Sequence, residues 1–231
     1  TRIFYADKTY SKIYHTHVNK KVKLKERLNF NTQNGASHIA LSGDKRYLYE
    51  VENNGTNKIY QHDVHKKTSQ MVGELNLNKV TMVGMSSSGL LYVGDMSSDK
   101  IYRYNLVTQQ LDDLGYVFLD NKKIDLSGGD LALTDQKMYI ATQSKGGVLY
   151  EVDFDNNGVL QAETVVSNLG KVSGLAILDY NHFLMSVLNK NYMLEYKDNQ
   201  LEQRTLKGDL LIQGSGADLA SNPPIQENSK F

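Results

Sequence analysis

A tyrosine-bearing segment recurs along the chain at a near-constant distance, and that recurrence limits the fold more than any other feature. It occurs as Ser11-Lys-Ile-Tyr14, Asn57-Lys-Ile-Tyr60, Asp99-Lys-Ile-Tyr102, Gly147-Val-Leu-Tyr150 and, more degenerately, Asn191-Tyr-Met-Leu194. By subtraction these anchors lie 46, 42, 48 and 44 residues apart. A second set, Tyr5, Tyr49, Tyr92, Tyr139 and Leu184, steps by 44, 43, 47 and 45. A third set of small residues, Ala40, Val83, Ala132, Ala176 and Ala220, steps by 43, 49, 44 and 44. The segments alternate by two, so each unit is built of strands. A few short strands cannot bury both faces alone and must stack against copies of themselves.

The stretch from Gly89 to Gly115 shows the pattern most clearly, with an apolar run at Leu90–Val93, a polar turn at Ser97–Lys100 and an alternating strand at Ile101–Leu106. Periods of about 40–50 residues with four short strands mark the blades of a β-propeller. The expected fold is an all-β, five-bladed propeller in one domain over residues 1–231. Blades are expected at about 1–28 with 214–220, 37–75, 78–114, 126–169 and 172–206. The chain opens at Arg2-Ile-Phe-Tyr5 in the phase of a second strand. It ends its periodic part with Gly214-Ser-Gly-Ala-Asp-Leu-Ala220 in the phase of a first. The last segment should therefore complete the first blade and close the ring, which removes an open edge. In that first blade, Lys20–Arg27 reads as a charge-rich outer strand and Asn29–Gly35 as a linker. The tail Ser221–Phe231 holds both prolines and reads as a strap or disordered segment.

Charge narrows the partners. Lys+Arg and Asp+Glu both number 26, and this balance argues against nucleic acid or an anionic membrane, which call for a basic stripe. No apolar run approaches the length of a membrane span. Cysteine is absent, which excludes disulfides and thiolate chemistry. A first residue of Thr that enters a strand at once fits a processed, secreted or periplasmic chain. A monomer is the simplest expectation for a closed ring.

The fifteen tyrosines sit mostly at blade anchors and read as packing between blades. His15 and His17 share a strand face as metal ligands would. The repeat, however, places His17 in line with Asp63, Asn105, Asp153 and Lys197, where a turn begins. His62 and His65 also lie near a turn and read as structural or solvated. More informative is the position two before the small anchor, which runs His38, Thr81, Asp130, Gly174 and Asp218. Inner strands line the channel, so His38, Thr81, Asp130 and Asp218 would converge at its mouth. There they could bind a ligand, hold calcium or another divalent ion, or perform acid–base work. Asp130 and Asp218 could equally cap backbone N–H groups of neighbouring inner strands. A second candidate is Asp153-Phe-Asp155-Asn-Asn157-Gly158, which matches the first six positions of a calcium loop but has Thr164 at the twelfth. A polar hairpin explains it without metal.

On Leu91-Tyr-Val-Gly-Asp-Met-Ser-Ser-Asp-Lys-Ile-Tyr-Arg-Tyr-Asn-Leu106 and Asp130-Leu-Ala-Leu133, the chain resembles the superfamily of gluconolactonase-like and NHL-repeat propellers. That resemblance implies the fold and little about activity. Its lactonase-like members would imply a channel-centred divalent ion, here matched only by Asp130 and Asp218. In size the chain looks like five-bladed sugar-binding lectins, which rely on Trp-rich repeats, whereas this chain has no Trp. Two functions follow as expectations. The first is a non-catalytic binding propeller presenting its channel mouth to a glycan, peptide or protein. The alternative is a small metal-dependent hydrolase or lactonase with His38 as acid or base.

Overall fold

A computed structural model describes residues 2–7, 12–17, 27–31, 37–53, 55–179, 181–187, 190–197, 200–205 and 218–221. In the N- and C-terminal strands it describes only some of the side chains. The first three strands are β1 (Arg2–Asp7), β2 (Lys12–His17) and β3 (Arg27–Asn31). The next four are β4 (Ser37–Leu41), β5 (Tyr47–Glu52), β6 (Lys58–Asp63) and β7 (Thr68–Glu74). They are followed by β8 (Val80–Met85), β9 (Leu90–Asp95), β10 (Lys100–Asn105), β11 (Gln110–Leu119) and the short β12 (Lys122–Lys123). Then come β13 (Asp130–Leu133), β14 (Met138–Thr142), β15 (Val148–Phe154) and β16 (Leu160–Ser167). The last are β17 (Val172–Asp179), β18 (His182–Val187), β19 (Lys190–Lys197), β20 (Gln200–Thr205) and β21 (Asp218–Ser221).

Successive strands pair antiparallel in groups of four, and β21 pairs with β1 to give the order β21-β1-β2-β3. The fold is that of a β-propeller. A parallel contact, Val117 opposite Leu160 and Phe118 opposite Gln161, joins the outer strands β11 and β16 and covers two edges that would otherwise lie open. The outer strand of the first blade is Arg27–Asn31, later than the sequence pattern indicates. Leu28 stands opposite Tyr14 and Phe30 opposite Ile13, so the paired strand takes in Asn29–Asn31, which the sequence pattern gives to the linker. Residues 18–26 and the tail beyond Ser221 lie outside the described residues.

The core lies between blades. One cluster joins Tyr49, Val51 and Ile59 to Val80, Val83 and Leu91, and another joins Tyr139 and Leu149 to Val172, Leu175 and Phe183. Each fully buried aliphatic or aromatic side chain contributes about 1.5–3 kcal/mol relative to exposure, so neighbouring blades stabilise one another. The anchors Tyr49, Tyr92 and Tyr139 are all buried, as inter-blade packing requires. Tyr139 packs edge-on against Phe183 with ring centroids 4.8 Å apart.

Two local devices repeat. A ladder irregularity falls just before Tyr14, Tyr60, Tyr102 and Tyr150, at one point in four successive blades. Asn57 and Asp99, at the start of the third strands, both have positive φ. Their side chains accept the N–H groups of Leu77 at 2.7 Å and Leu126 at 3.0 Å, which pins the connector to the following blade. A short polar side chain tolerates the left-handed conformation and supplies the acceptor at once.

Candidate functional site

The first strand of each blade faces the axis. Ile39, Val83, Leu131, Leu175 and Leu219 come from five different strands, β4, β8, β13, β17 and β21, and line one axial cavity of about 20 Å³. That volume holds about one water molecule, so the axis is packed with apolar side chains instead of forming a tunnel. The approach of strands is close. A Cβ on Gly84 would lie 2.8 Å from Leu133 Cδ1 and 3.0 Å from the Leu131 carbonyl oxygen.

Register places the predicted mouth residues unevenly. His38 lies opposite Val51 and Asp130 opposite Ala141, each two residues before its small anchor, Ala40 or Ala132. Asp218, opposite Ala6, holds the same place in β21, and its side chain lies outside the described residues. Thr81 does not share that place. An irregularity between Val80 and Met82 puts Met82 opposite Gly94 and Gly84 opposite Tyr92, so Gly84 takes the role of the small anchor in β8. Thr81 is the extra residue, and its hydroxyl donates to the Leu126 carbonyl at 3.3 Å. Two further anchors also fall out of line with their assigned places. Phe4, not Tyr5, stands opposite Ala220, and Tyr192, not Leu194, stands opposite Met185, one place past Leu184.

Asp130 is fully buried and links two blades. Its Oδ1 accepts the Leu131 N–H at 2.8 Å and its Oδ2 accepts the Leu175 N–H on β17 at 2.6 Å. This is the inter-strand cap that the sequence allowed as one of its readings. His38 is buried at the matching point of β4. Around the mouth, Ser173 and Ser186 share a hydrogen bond at 2.8 Å, and Gln143 donates to the Val172 carbonyl at 2.8 Å. The exposed connectors on this face carry Lys79, Asp125, Lys145 and Lys171. Adjacent connectors are tied together: the Gly170 N–H donates to the Gly146 carbonyl at 2.8 Å and the Met96 N–H to that of Lys79 at 2.9 Å.

The Asp153–Gly158 segment forms the β15–β16 hairpin. Asp155 Oδ1 accepts the N–H groups of Asn157 at 2.8 Å and Val159 at 2.9 Å. The Val159 N–H holds the Asp155 carboxyl below the usual range. Asp153 accepts the Phe154 N–H at 2.8 Å and lies 3.8 Å from Lys137 Nζ. Asp153, Asp155 and Asn157 are thus engaged in turn and ladder geometry. Among the described residues, no group of three His, Cys, Asp or Glu side chains is arranged to hold a metal ion.

The turn positions predicted from the repeat behave alike. Asp63 Oδ1 accepts the N–H groups of His65 and Lys66 at 3.0 and 2.9 Å, and Asn105 Oδ1 those of Val107 and Thr108 at 2.9 and 3.1 Å. His15 and His17 fall on β2, with side chains outside the described residues. His65 is exposed, whereas His62 is completely buried and bonded to Glu50 and Ser69. The spacing of three residues in three strands hides that group in the sequence. Cross-strand register, with His62 opposite Ser69, is the signal that reveals it.

No family model and no curated protein matches the chain in sequence. Solved structures do match it. A chain of a nidogen/laminin complex aligns with a TM-score of 0.62 at 12% identity, covering 96% of this chain and 99% of that one. TolB from Acinetobacter baumannii aligns with a TM-score of 0.57 at 12% identity, covering 96% of this chain and 66% of TolB. A protein provisionally assigned as a gluconolactonase gives 0.52 at 12% identity, covering 73% of this chain and 62% of that one. At these identities the likeness concerns the fold. Among the described residues, no helix is long and apolar enough to cross a membrane.

Proposed function

We propose that the chain is a single-domain, five-bladed, non-catalytic binding propeller, exported from its cell, that presents the mouth face to a protein or peptide. The observation that carries this reading is the filled axis. A cavity of about 20 Å³ inside the ring is too small for a substrate, which favours a partner lying across the face where the inner strands begin. His38, Asp130 and Asp218 then shape the floor of that face, and the exposed connectors make the contacts. Among the described residues of those connectors, Lys79, Lys145 and Lys171 outnumber Asp125, which suits an acidic polypeptide approached by electrostatic steering. A nearly full-length likeness to a chain from a complex of two proteins supports the same direction.

The lactonase-like alternative places a divalent ion at the mouth with His38 as acid or base. It asks the Asp130 carboxylate to hold the ion on the lone pairs left beside those that accept the Leu131 and Leu175 N–H groups. The deciding experiment is fluorescence anisotropy with a set of acidic and neutral peptides on the native chain and on a variant with Lys79, Lys145 and Lys171 all changed to Glu. Binding that weakens with salt and disappears in the variant supports the proposal, and binding indifferent to both contradicts it. A calcium-dependent rise in melting temperature that Asp130→Asn abolishes would favour the metal-dependent reading.

A further inference from the structure

Away from the axis, the second blade carries a polar chain from its interior to its surface. The side chains of Glu50 on β5 and His62 on β6 are fully buried and meet, Oε2 to Nε2, at 2.8 Å. His62 Nδ1 lies 2.6 Å from the hydroxyl of Ser69, its cross-strand partner on β7, and Ser69 is exposed. With Glu50 accepting a hydrogen from Nε2, Nδ1 presents its lone pair and the Ser69 hydroxyl donates to it. Nucleophile, base and orienting acid thus stand in hydrogen-bonding order. The ring nitrogens have exchanged the places they take in a chymotrypsin-type triad. Ser69 opens on a surface depression of about 210 Å³ whose wall also includes Arg46, Asp63, Lys66 and Gln70. Arg46 is held there by Asp63 at 3.3 Å, and Lys66 is exposed.

We propose that Ser69 is a nucleophile that accepts an acyl group from an activated, anionic donor such as an acyl phosphate. The Ser69 Oγ forms a bond to the carbonyl carbon. The bond from that carbon to the phosphate oxygen breaks, and its electron pair departs with phosphate. The hydroxyl proton passes to His62 Nδ1, leaving an imidazolium against the Glu50 carboxylate. Burial of His62 sets the substrate class. A ring with no exposed surface can take the Ser69 proton but cannot reach a departing alkoxide, so the leaving group must be a stable anion. With Arg46 and Lys66 set against one carboxylate, Asp63, the depression keeps a net positive charge that favours a negatively charged donor. The same burial keeps His62 from activating water outside the ester, so acylation persists as a modification and does not turn over. The site lies on the outer strands of the second blade and is independent of the proposed mouth interface.

The test is to incubate the folded chain with acetyl phosphate and with 4-nitrophenyl acetate, then to locate the added acetyl group by intact mass and peptide mapping. The expected result is acetylation of Ser69 about a hundredfold faster than of any serine in the urea-unfolded chain, the order of a base-assisted step. Ser69→Ala should abolish it. Glu50→Gln should slow it at least about tenfold while far-ultraviolet circular dichroism stays native. Should Glu50→Gln fail to fold, the comparison of folded with urea-unfolded native sequence decides alone. Acetyl groups on lysines only, or equal Ser69 rates in the folded and unfolded chains, would overturn the proposal.

Discussion

The axis of the ring and the outer part of the second blade use their interiors in opposite ways. At the axis, β4, β8, β13, β17 and β21 crowd together, and an added Cβ at Gly84 would meet its neighbours at 2.8 Å. Only small or aliphatic side chains fit, and the buried carboxylate beside them, Asp130, is bound into the scaffold by two backbone N–H groups. Between β5, β6 and β7, the buried Glu50 and His62 instead lead outward to an exposed hydroxyl. In this ring, convergence leaves the axis apolar, and buried polar groups lie toward the mouth face and the blade periphery.

The sharpest way to break this contrast is to enlarge the axis. Gly84→Leu forces a side chain onto the Leu131 backbone and Leu133, and should cost upwards of about 3 kcal/mol in urea denaturation. A variant as stable as the native chain would mean that the axis is loose. Asp130→Ala should cost about 2 kcal/mol in the same assay, because the Leu131 and Leu175 N–H groups lose their acceptor in a buried site. If that substitution instead left stability unchanged while abolishing a ligand-induced rise in melting temperature, Asp130 would belong to a binding site and not to the scaffold.

Smaller effects come from titration at the periphery. The Lys66 N–H holds the Asp63 carboxyl below its ordinary value, with the His65 N–H and Arg46 acting in the same sense. Its contribution is therefore present above an unfolded value of about 4 and lost as pH falls through the lower folded value. Asp63→Asn should flatten the fall in stability below about pH 4. At His182, burial disfavours the charged ring, yet Asp179 at 2.7 Å and Glu195 at 3.3 Å outweigh it and raise the pKa. That contribution is complete below about pH 6.5 and lost as pH rises through the higher folded value. Proton NMR of the native chain should find the His182 midpoint above that of a histidine in an unfolded peptide. A midpoint at or below the peptide value would contradict the two carboxylate contacts.

Much of this architecture is legible in the sequence because one period appears on three sets of anchors, and because the two ends carry complementary strand phases. The Asp, Asn and Gly turn positions are legible for a local reason, since their side chains or positive φ act within a few residues. Register is less accessible. The extra residue in β8 moves Met82 into the place assigned to Thr81, and no residue type announces that irregularity. In the first blade, pairing places an outer strand at Arg27–Asn31, where the polar run from Asn29 reads as a linker. Glu50, His62 and Ser69 come together only through two ladders, so their grouping requires the register that the sequence conceals.

The filled axis depends on β21 lying beside β1, and amide hydrogen exchange of the native chain tests this most directly. The amides of β1 and β21 that bond to each other should exchange only through global unfolding, as slowly as those in the ladder between β8 and β9. Exchange of β1 and β21 at the rates of frayed termini, with β8 and β9 still protected, would contradict the closed ring.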